Sequence, residues 1–263
     1  MKAKDTNINF GSRIFDDKHF GRFVRKPLRK TINFFLLIKQ NIFDQNLFSI
    51  TAIKSPNVVK KNIIAFSLFG NAARYTGNLK RVIRSYNQIL PDWKCRIYAA
   101  GDVDPQHIDQ LLGQECEVFT MQGTGIDFRY TLWRFLAIED DKADAVIIRD
   151  LDSIATGREK IMIEQWLSSA KKFHIIRDHE NHGAPIMAGM WGAKKTNINI
   201  KENTKHHLLG NHYGVDQEFL YNMIYPLIKN DVMIHDSFPR YPGEDVITIP
   251  YQDNEGFIGE WLQ

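Results

Sequence analysis

From Lys61 onward, short apolar runs of strand character take turns with amphipathic helical stretches, and this alternation restricts the fold more than any other feature of the chain. "NIIAFSLFG", "KCRIYAAG", "CEVFTM", "ADAVIIRDLDS", "KFHIIRD", "IMAGMWGAK" and "DVMIHDS" read as strands. Between them, "TGNLKRVIRSYNQIL" reads as a helix stopped by Pro91, and "PQHIDQLLG" as a short helix opened by proline and closed by glycine. "TLWRFLAIEDD", "REKIMIEQWLSSAKK" and "GVDQEFLYNMIYPLI" read as further helices, the second with Thr156 and Glu159 at the spacing of a capping box. Parallel strands need crossovers, and helices of this length supply them. The expected fold is therefore α/β: a mainly parallel central sheet with helices on both faces.

The first sixty residues read differently. Residues 1–61 hold 13 Lys and Arg against 4 Asp, leaving 21 against 27 in the remainder, so a net charge of only +3 joins a basic arm to an acidic body. We therefore divide the chain into a basic extension over 1–60 and a folded domain over 61–263. In the arm, Pro27 suits the first position of a helix in which Leu28, Ile32, Phe35, Leu36, Ile42 and Phe43 share one face. Arg22, Arg25, Lys26, Arg29 and Lys30 gather at its start. Such a helix suits the surface of an anionic membrane, each basic residue contributing about 1 kcal/mol there. It equally suits docking on the body, because Phe34, Leu37 and Ile38 make it apolar on several sides. No apolar run reaches the ~18 residues that span a bilayer, and no signal peptide is expected. Cys95 and Cys116 form neither a metal nor a disulfide pattern, which fits a reducing compartment. The expected location is the cytoplasm, with the arm at the inner face of the cytoplasmic membrane. Nucleic acid is not an expected partner, since the body is acidic and carries no recognition motif.

The strand "AVII" runs through Arg149 into Asp150 and Asp152. Residues two apart in a strand point the same way, so both carboxylates start on one side of its carboxyl end, the edge where open α/β sheets bind ligands. Two hard oxygen donors there suit Mn²⁺ or Mg²⁺, and the ion would neutralise the diphosphate of a nucleotide sugar. The pair Asp102 and Asp104 in "GDVDP" has the same spacing without a long apolar run leading directly into it, and reads as a loop. His235, after a buried-type strand near the C-terminus, is the candidate third ligand, with Asp236 as the adjacent alternative and a satisfied structural histidine as the plain one.

The order "WRFLA", "RDLDS", "REK", "FHIIRDH", "MAGMWGAK", "GVDQEFL", "HDSF" and "GFIGEW" resembles a bacterial and algal-virus family of glycosyltransferases of the GT-A fold. The resemblance covers roughly residues 62–263 and leaves the arm outside. It implies a GT-A (nucleotide-diphospho-sugar transferase) fold and transfer of a sugar from a nucleoside-diphosphate-sugar donor to a hydroxyl acceptor. In one respect the chain departs from the family. An arginine is expected soon after the "DLDS" serine, whereas Ile154 and Ala155 stand there, so a phosphate contact is either missing or supplied by Arg158.

Within that reading, Arg74 and Tyr75 in "FGNAARYTGN" fall where the nucleotide would lie, a guanidinium and an aromatic face. Arg134 could reach the donor or hold an aspartate, while Trp133 reads as core. Arg149 alternates to the opposite side of the strand and either buttresses the site or meets the donor. Asp178 or His179 could deprotonate an acceptor if the enzyme inverts, and Trp191 is an acceptor platform or a core residue. Arg177, Asp178, His179 and His182 fit no zinc spacing well. Asp216 and Gln217 open a helix, where an aspartate is ordinarily stabilising. Their run also looks like the Asp-Gln segment of glycogenin-like retaining transferases, which implies a place beside the reacting anomeric carbon. A saccharide or a lipid-linked acceptor, in cell-surface polysaccharide or lipopolysaccharide synthesis, completes the expectation.

Three rivals remain. A haloacid-dehalogenase-like phosphohydrolase would follow its second aspartate with glycine and threonine, where Ser153 and Ile154 stand. A sugar nucleotidyltransferase would want a glycine-rich basic loop, which "SLFGNAARYTGN" matches poorly. A glycan-binding module without turnover is the non-catalytic rival.

Overall fold

A computed structural model describes residues 46–56, 60–250 and 256–262. Its first strand, Ile50–Lys54 (β1), is exposed along its length and lies inside the stretch that charge assigns to the extension. Leu47 just before it is buried and accepts a hydrogen bond from Trp133 Nε1 at 2.5 Å, and β1 pairs with a strand of the body, so Leu47 and β1 join the body. The arm helix expected after Pro27 lies outside the described residues.

The strand Asn62–Leu68 (β2) is buried on both faces, as its unbroken apolar run requires. Leu79–Ile89 (α1) follows, laying Leu79, Val82, Ile83 and Tyr86 on the core. Trp93–Ala100 (β3), Pro105–Leu112 (α2) and Glu117–Met121 (β4) complete the first half. Asp104 caps α2 by accepting from Gln106 N at 2.8 Å, and Asp102 accepts from Gly125 N at 2.7 Å, so the second D-x-D is loop architecture, as expected. The run "TLWRFLAIEDD", expected as a helix, belongs instead to a 3-10 run over Phe128–Glu139. Ser67 Oγ accepts from Arg134 N at 3.1 Å and reaches Thr131 O at 3.3 Å, so a β2 side chain intrudes on the helical ladder.

Ala145–Ile148 (β5), Gly157–Ser168 (α3), Phe173–Arg177 (β6) and Trp191–Lys194 (β7) come next. Half of the capping box forms at α3: Thr156 Oγ1 accepts from Glu159 N at 3.1 Å, while the Glu159 carboxylate turns inward. After Ile200–Lys205 (α4), the helix Val215–Phe219 (α5) passes through a π turn, Leu220–Ile224, into Tyr225–Ile228. Pro226 has no N–H to offer the turn behind it, and the wider turn sits where that bond is missing. Val232–Asp236 (β8) and Val246–Thr248 (β9) finish the sheet.

The nine strands run β1-β4-β3-β2-β5-β7-β6-β8-β9. Pairs β2–β3, β3–β4, β2–β5, β6–β8 and β8–β9 are parallel, whereas β1–β4, β5–β7 and β6–β7 are antiparallel. The result is a mixed, mainly parallel α/β sheet flanked by helices. The chain walks outward from β2 through β3 to β4, then returns to lay β5 on the other side of β2. That reversal is the topological switch point of the sheet, and the carboxyl ends of β2 and β5 open a crevice there.

Candidate active site

Two loops meet in that crevice. After β2, a helical turn Ala73–Thr76 carries Arg74 and Tyr75; after β5 come Asp150 and Asp152. The aspartates do not face each other unscreened. Arg74 pairs with Asp152 through Nε and Nη2, and Arg134 pairs through Nη1 with Asp150. Arg134 also donates Nη2 to Asp216 Oδ2 at 2.8 Å and Nη1 to Arg149 O at 3.2 Å. One buried guanidinium therefore ties the D-x-D to the start of α5.

The two carboxylates differ in exposure, and this sets their chemistry. The Asp150 side chain is 45% exposed and the Asp152 side chain 4%. Burial, then repulsion from Asp150, pushes the Asp152 carboxyl up to about 6, against the pull of Arg74. Asp216 is also raised, by burial first, with Arg134 opposing. Tyr75 rises to about 12 through burial and the neighbouring Asp152. Negative charge has been concentrated here beyond what two arginines neutralise, which is the condition for taking up a cation.

Gly189 is shaped around Asp150: a Cβ there would fall on Asp150 Oδ2. The loop that carries it is fixed by Gln217, whose Oε1 accepts from Ala188 N at 2.9 Å and whose Nε2 donates to Ile186 O. Gln217 thus acts through the backbone beside Asp150. Within "MAGM" it is thus the Asp150 carboxylate that approaches the glycine backbone closely.

Sequence reasoning missed the cover on this crevice. Leu262 N donates to Asp152 O at 2.7 Å, Ser153 and Trp261 form an isolated β-bridge, and the Arg74 guanidinium lies 5.0 Å from the centre of the Trp261 ring. Tyr213 also stands at the site, close enough for the charges of Asp150, Arg74 and Asp216 to act on its phenol. Both rings are more than half exposed. Little in the sequence signals either, because Ser153 and Arg74 lie far from Trp261 along the chain and Asp150 and Arg74 far from Tyr213; only Asp216 is a near neighbour.

Several expected site residues are elsewhere. His235 is wholly buried on β8; its Nδ1 meets His174 Nε2 at 2.8 Å and its Nε2 meets Gln165 Oε1 of α3 at 3.0 Å. It faces the α3 side of the sheet and joins no carboxylate of the D-x-D. Asp236, the alternative ligand, is held by Arg177 Nε at 2.7 Å. Among the described residues, no three His, Cys, Asp or Glu side chains gather to hold a metal ion. Arg149 lies inside the core, donating to Glu159 Oε1 at 2.5 Å and Ile148 O at 2.6 Å; it buttresses the strand and does not reach the crevice.

Asp178 is fully buried, paired with Arg158 at 3.2 Å and accepting from Ile258 N at 3.0 Å. A carboxylate so enclosed fastens the C-terminal segment and cannot reach an acceptor. The same pair, with Pro250 O at 2.8 Å from Nη2, occupies Arg158 and takes it out of reach as a phosphate ligand. His179 stacks on Phe257 at 4.1 Å, and Trp191 and Trp133 are core.

No protein-family model and no curated protein matches the chain. Among solved structures, it is similar to the glucosyl-3-phosphoglycerate synthase of Mycobacterium tuberculosis in complex with Mn²⁺, UDP and phosphoglyceric acid, at 14% identity and TM-score 0.45, covering 66% of this chain and 68% of that one. A mannosyltransferase of Pyrobaculum calidifontis with GDP-Man and Mn²⁺ gives 10% identity and TM-score 0.45, over 84% of this chain and 64% of that one. An apo glycosyltransferase of Streptococcus pneumoniae gives 16% and 0.45, over 68% of this chain and 46% of that one. Likeness of this size concerns architecture and leaves the chemistry to be argued from the site.

Proposed function

We propose that the chain is a GT-A glycosyltransferase, moving a sugar from a nucleoside-diphosphate donor to a hydroxyl acceptor with the help of Mn²⁺ or Mg²⁺. The observation that carries this reading is the placement of Asp150 and Asp152, two carboxylates of one strand end, at the switch point between β2 and β5. Such an edge binds nucleotides in open α/β sheets, and a D-x-D there is suited to a donor that brings its own phosphates. The residues fit a divalent ion without His235, because Mg²⁺-like ions are commonly held by one or two carboxylates together with substrate phosphates and water. When bound, the ion would offset the charge that develops on the departing diphosphate.

The chain's own groups have separate tasks in this reading. Arg134 keeps Asp150 aimed by holding it together with Asp216. Arg74, half exposed on its short turn, is placed to exchange Asp152 for a donor phosphate, with Tyr75 beside it for the base. Asp216, buried at the far side of Arg134, would act on the reacting end of the donor through that guanidinium, and Gln217 positions the 186–188 backbone. In this division the domain proper performs transfer, and the basic arm brings it to an anionic membrane bearing a lipid-linked or lipopolysaccharide acceptor.

Calorimetric titration with UDP and GDP, with and without Mn²⁺, tests the assignment. Wild-type binding should require Mn²⁺. Asp152→Asn should weaken it by about tenfold or more while thermal unfolding stays cooperative, since ionisation of Asp152 is already disfavoured. Equal nucleotide affinity in the variant and the wild type would sink the proposal, whereas glycan binding without nucleotide binding would favour a non-catalytic module.

A further inference from the structure

A second concavity adjoins the crevice. It has a volume of ≈ 560 Å³ and is lined by Lys80, Arg81, Arg84 and Gln88 of α1, with Gln110 and Ile154 opposite. No carboxylate lines it. Among the described residues, none of the three cations forms an ion pair; Arg84 Nε only donates to the Gln114 amide at 3.2 Å. Lys80 and Arg84 stand four apart on one helix face, a like-charge spacing that slightly destabilises a helix and is left uncompensated here. This happens in a body whose carboxylates outnumber its cations, 27 against 21 over residues 62–263. Three unpaired cations in one groove of such a body form a focus for an anion.

The groove shares both loops of the crevice. Ile154 follows Asp152 by two residues, and the next residue, Ala155, donates its N–H to Ser85 Oγ of α1 at 3.0 Å. Gly77, at its other rim, ends the turn that carries Arg74. A molecule anchored in the groove therefore lies against both the loop that carries Arg74 and the loop that carries the D-x-D. The guanidinium forks suit phosphate oxygens, the lysine adds a point charge, and the glutamine amides suit hydroxyls. The volume is that of a small ligand.

We infer that this groove binds the phosphate of the acceptor, a phosphorylated saccharide or polyol whose free hydroxyl reaches the D-x-D. The acceptor role rests on the transferase reading; phosphate binding in the groove does not. The phosphate belongs either to a soluble ester or to a lipid headgroup, and two arms of one experiment separate these.

The full chain, without metal or donor, is titrated calorimetrically with glucose 6-phosphate and glycerol 3-phosphate against glucose and glycerol. In parallel it is sedimented with vesicles of phosphatidylglycerol in phosphatidylcholine against phosphatidylcholine alone. Both arms are repeated with Lys80→Gln, Arg81→Gln and Arg84→Gln combined, exposed changes whose fold is checked by thermal unfolding. The phosphorylated ligands should bind about tenfold or more tighter than their parents, with the gain lost in the triple variant and weakened by salt. Vesicle binding that falls in the triple variant, without soluble binding, assigns the phosphate to a lipid and also supports the groove. If the triple variant equals wild type in both arms, or neither arm shows binding, the inference is overturned. Because donor and metal are absent, this result is independent of the Asp152→Asn test.

Discussion

Replacing His235 by phenylalanine separates a structural histidine from a metal ligand. Phenylalanine keeps the edge-on ring contact with His174, whose centroid lies 5.0 Å away, but removes both hydrogen bonds. Gln165 is exposed and can turn to water. His174 cannot: it is buried, its Nδ1 already has no hydrogen-bond partner among the described residues, and its Nε2 would lose the one it has. One newly orphaned buried donor or acceptor costs about 1–3 kcal/mol, so urea unfolding at pH 7.5 should show a loss of that size. Acid adds a second signature. Burial pushes His235 down to about 4, against an ordinary value of 6.5. Below pH 6.5 the unfolded chain takes up a proton that the folded chain refuses, so stability present at neutral pH is lost as pH falls from 6.5 towards 4. At pH 4.5 the wild type should have lost about 2.5 kcal/mol through this group alone, and the variant none of it. The gap between the two proteins should therefore close on acidification. Mn²⁺-dependent nucleotide binding should be the same in both at pH 7.5. A variant of unchanged stability that no longer needs or binds Mn²⁺ would refute the reasoning and restore His235 as a ligand.

Two further substitutions probe the setting of Asp150. Gly189→Ala places a methyl group on Asp150 Oδ2, so either the carboxylate or the Gln217-held loop must yield. Denaturant unfolding should report a loss of about 1–3 kcal/mol, with Mn²⁺-dependent UDP or GDP affinity falling as well; normal stability and affinity would show that the loop gives way freely. Arg134→Met removes the cation shared by Asp150 and Asp216 and should cost about 3–5 kcal/mol, because Asp216 is left buried and charged. Adding Asp216→Asn should recover part of that loss in the same unfolding assay, and no recovery would mean that the pair is not coupled.

The fold was legible because its signals are local. A strand buried on both faces needs an unbroken apolar run, and a crossover helix needs a 3.6-residue period; both are visible in consecutive residues. The D-x-D was legible for the same reason, since the run Ala145–Ile148 leads straight to it. Where the reading failed, the deciding contact joins residues distant in sequence. His235 sits on β8 and Arg149 directly follows β5, strands with no polar and apolar alternation to say which face each residue takes. Pairing of β6 with β8 puts His174 and His235 on one face and Arg177 and Asp236 on the other, and only the sheet reveals it. Asp178 looked available at a strand end, but Arg158 and Ile258 enclose it from 20 and 80 residues away. The 3-10 run departs from its helical pattern because Ser67, on another element, takes the N–H of Arg134.

The two arginines of the crevice differ in a way that bears on the proposed transfer reaction. Arg134 is buried and holds two carboxylates from separate elements, so moving it would strand both charges. Arg74 is 45% exposed, sits on one helical turn, and holds a single carboxylate whose ionisation burial already disfavours. Its release therefore costs less than that of Arg134, and Trp261 and Tyr75 offer the guanidinium apolar faces along the way. Among the described residues, the three carboxylates Asp150, Asp152 and Asp216 form ion pairs with these two cations alone, and the surplus is negative. A donor diphosphate would be repelled by that surplus unless cationic charge entered with it. In the proposed transferase one arginine would maintain the geometry of the site while the other would be exchangeable, and the charges would set the order: Arg74 would leave Asp152 for a phosphate only when another cation had taken its place.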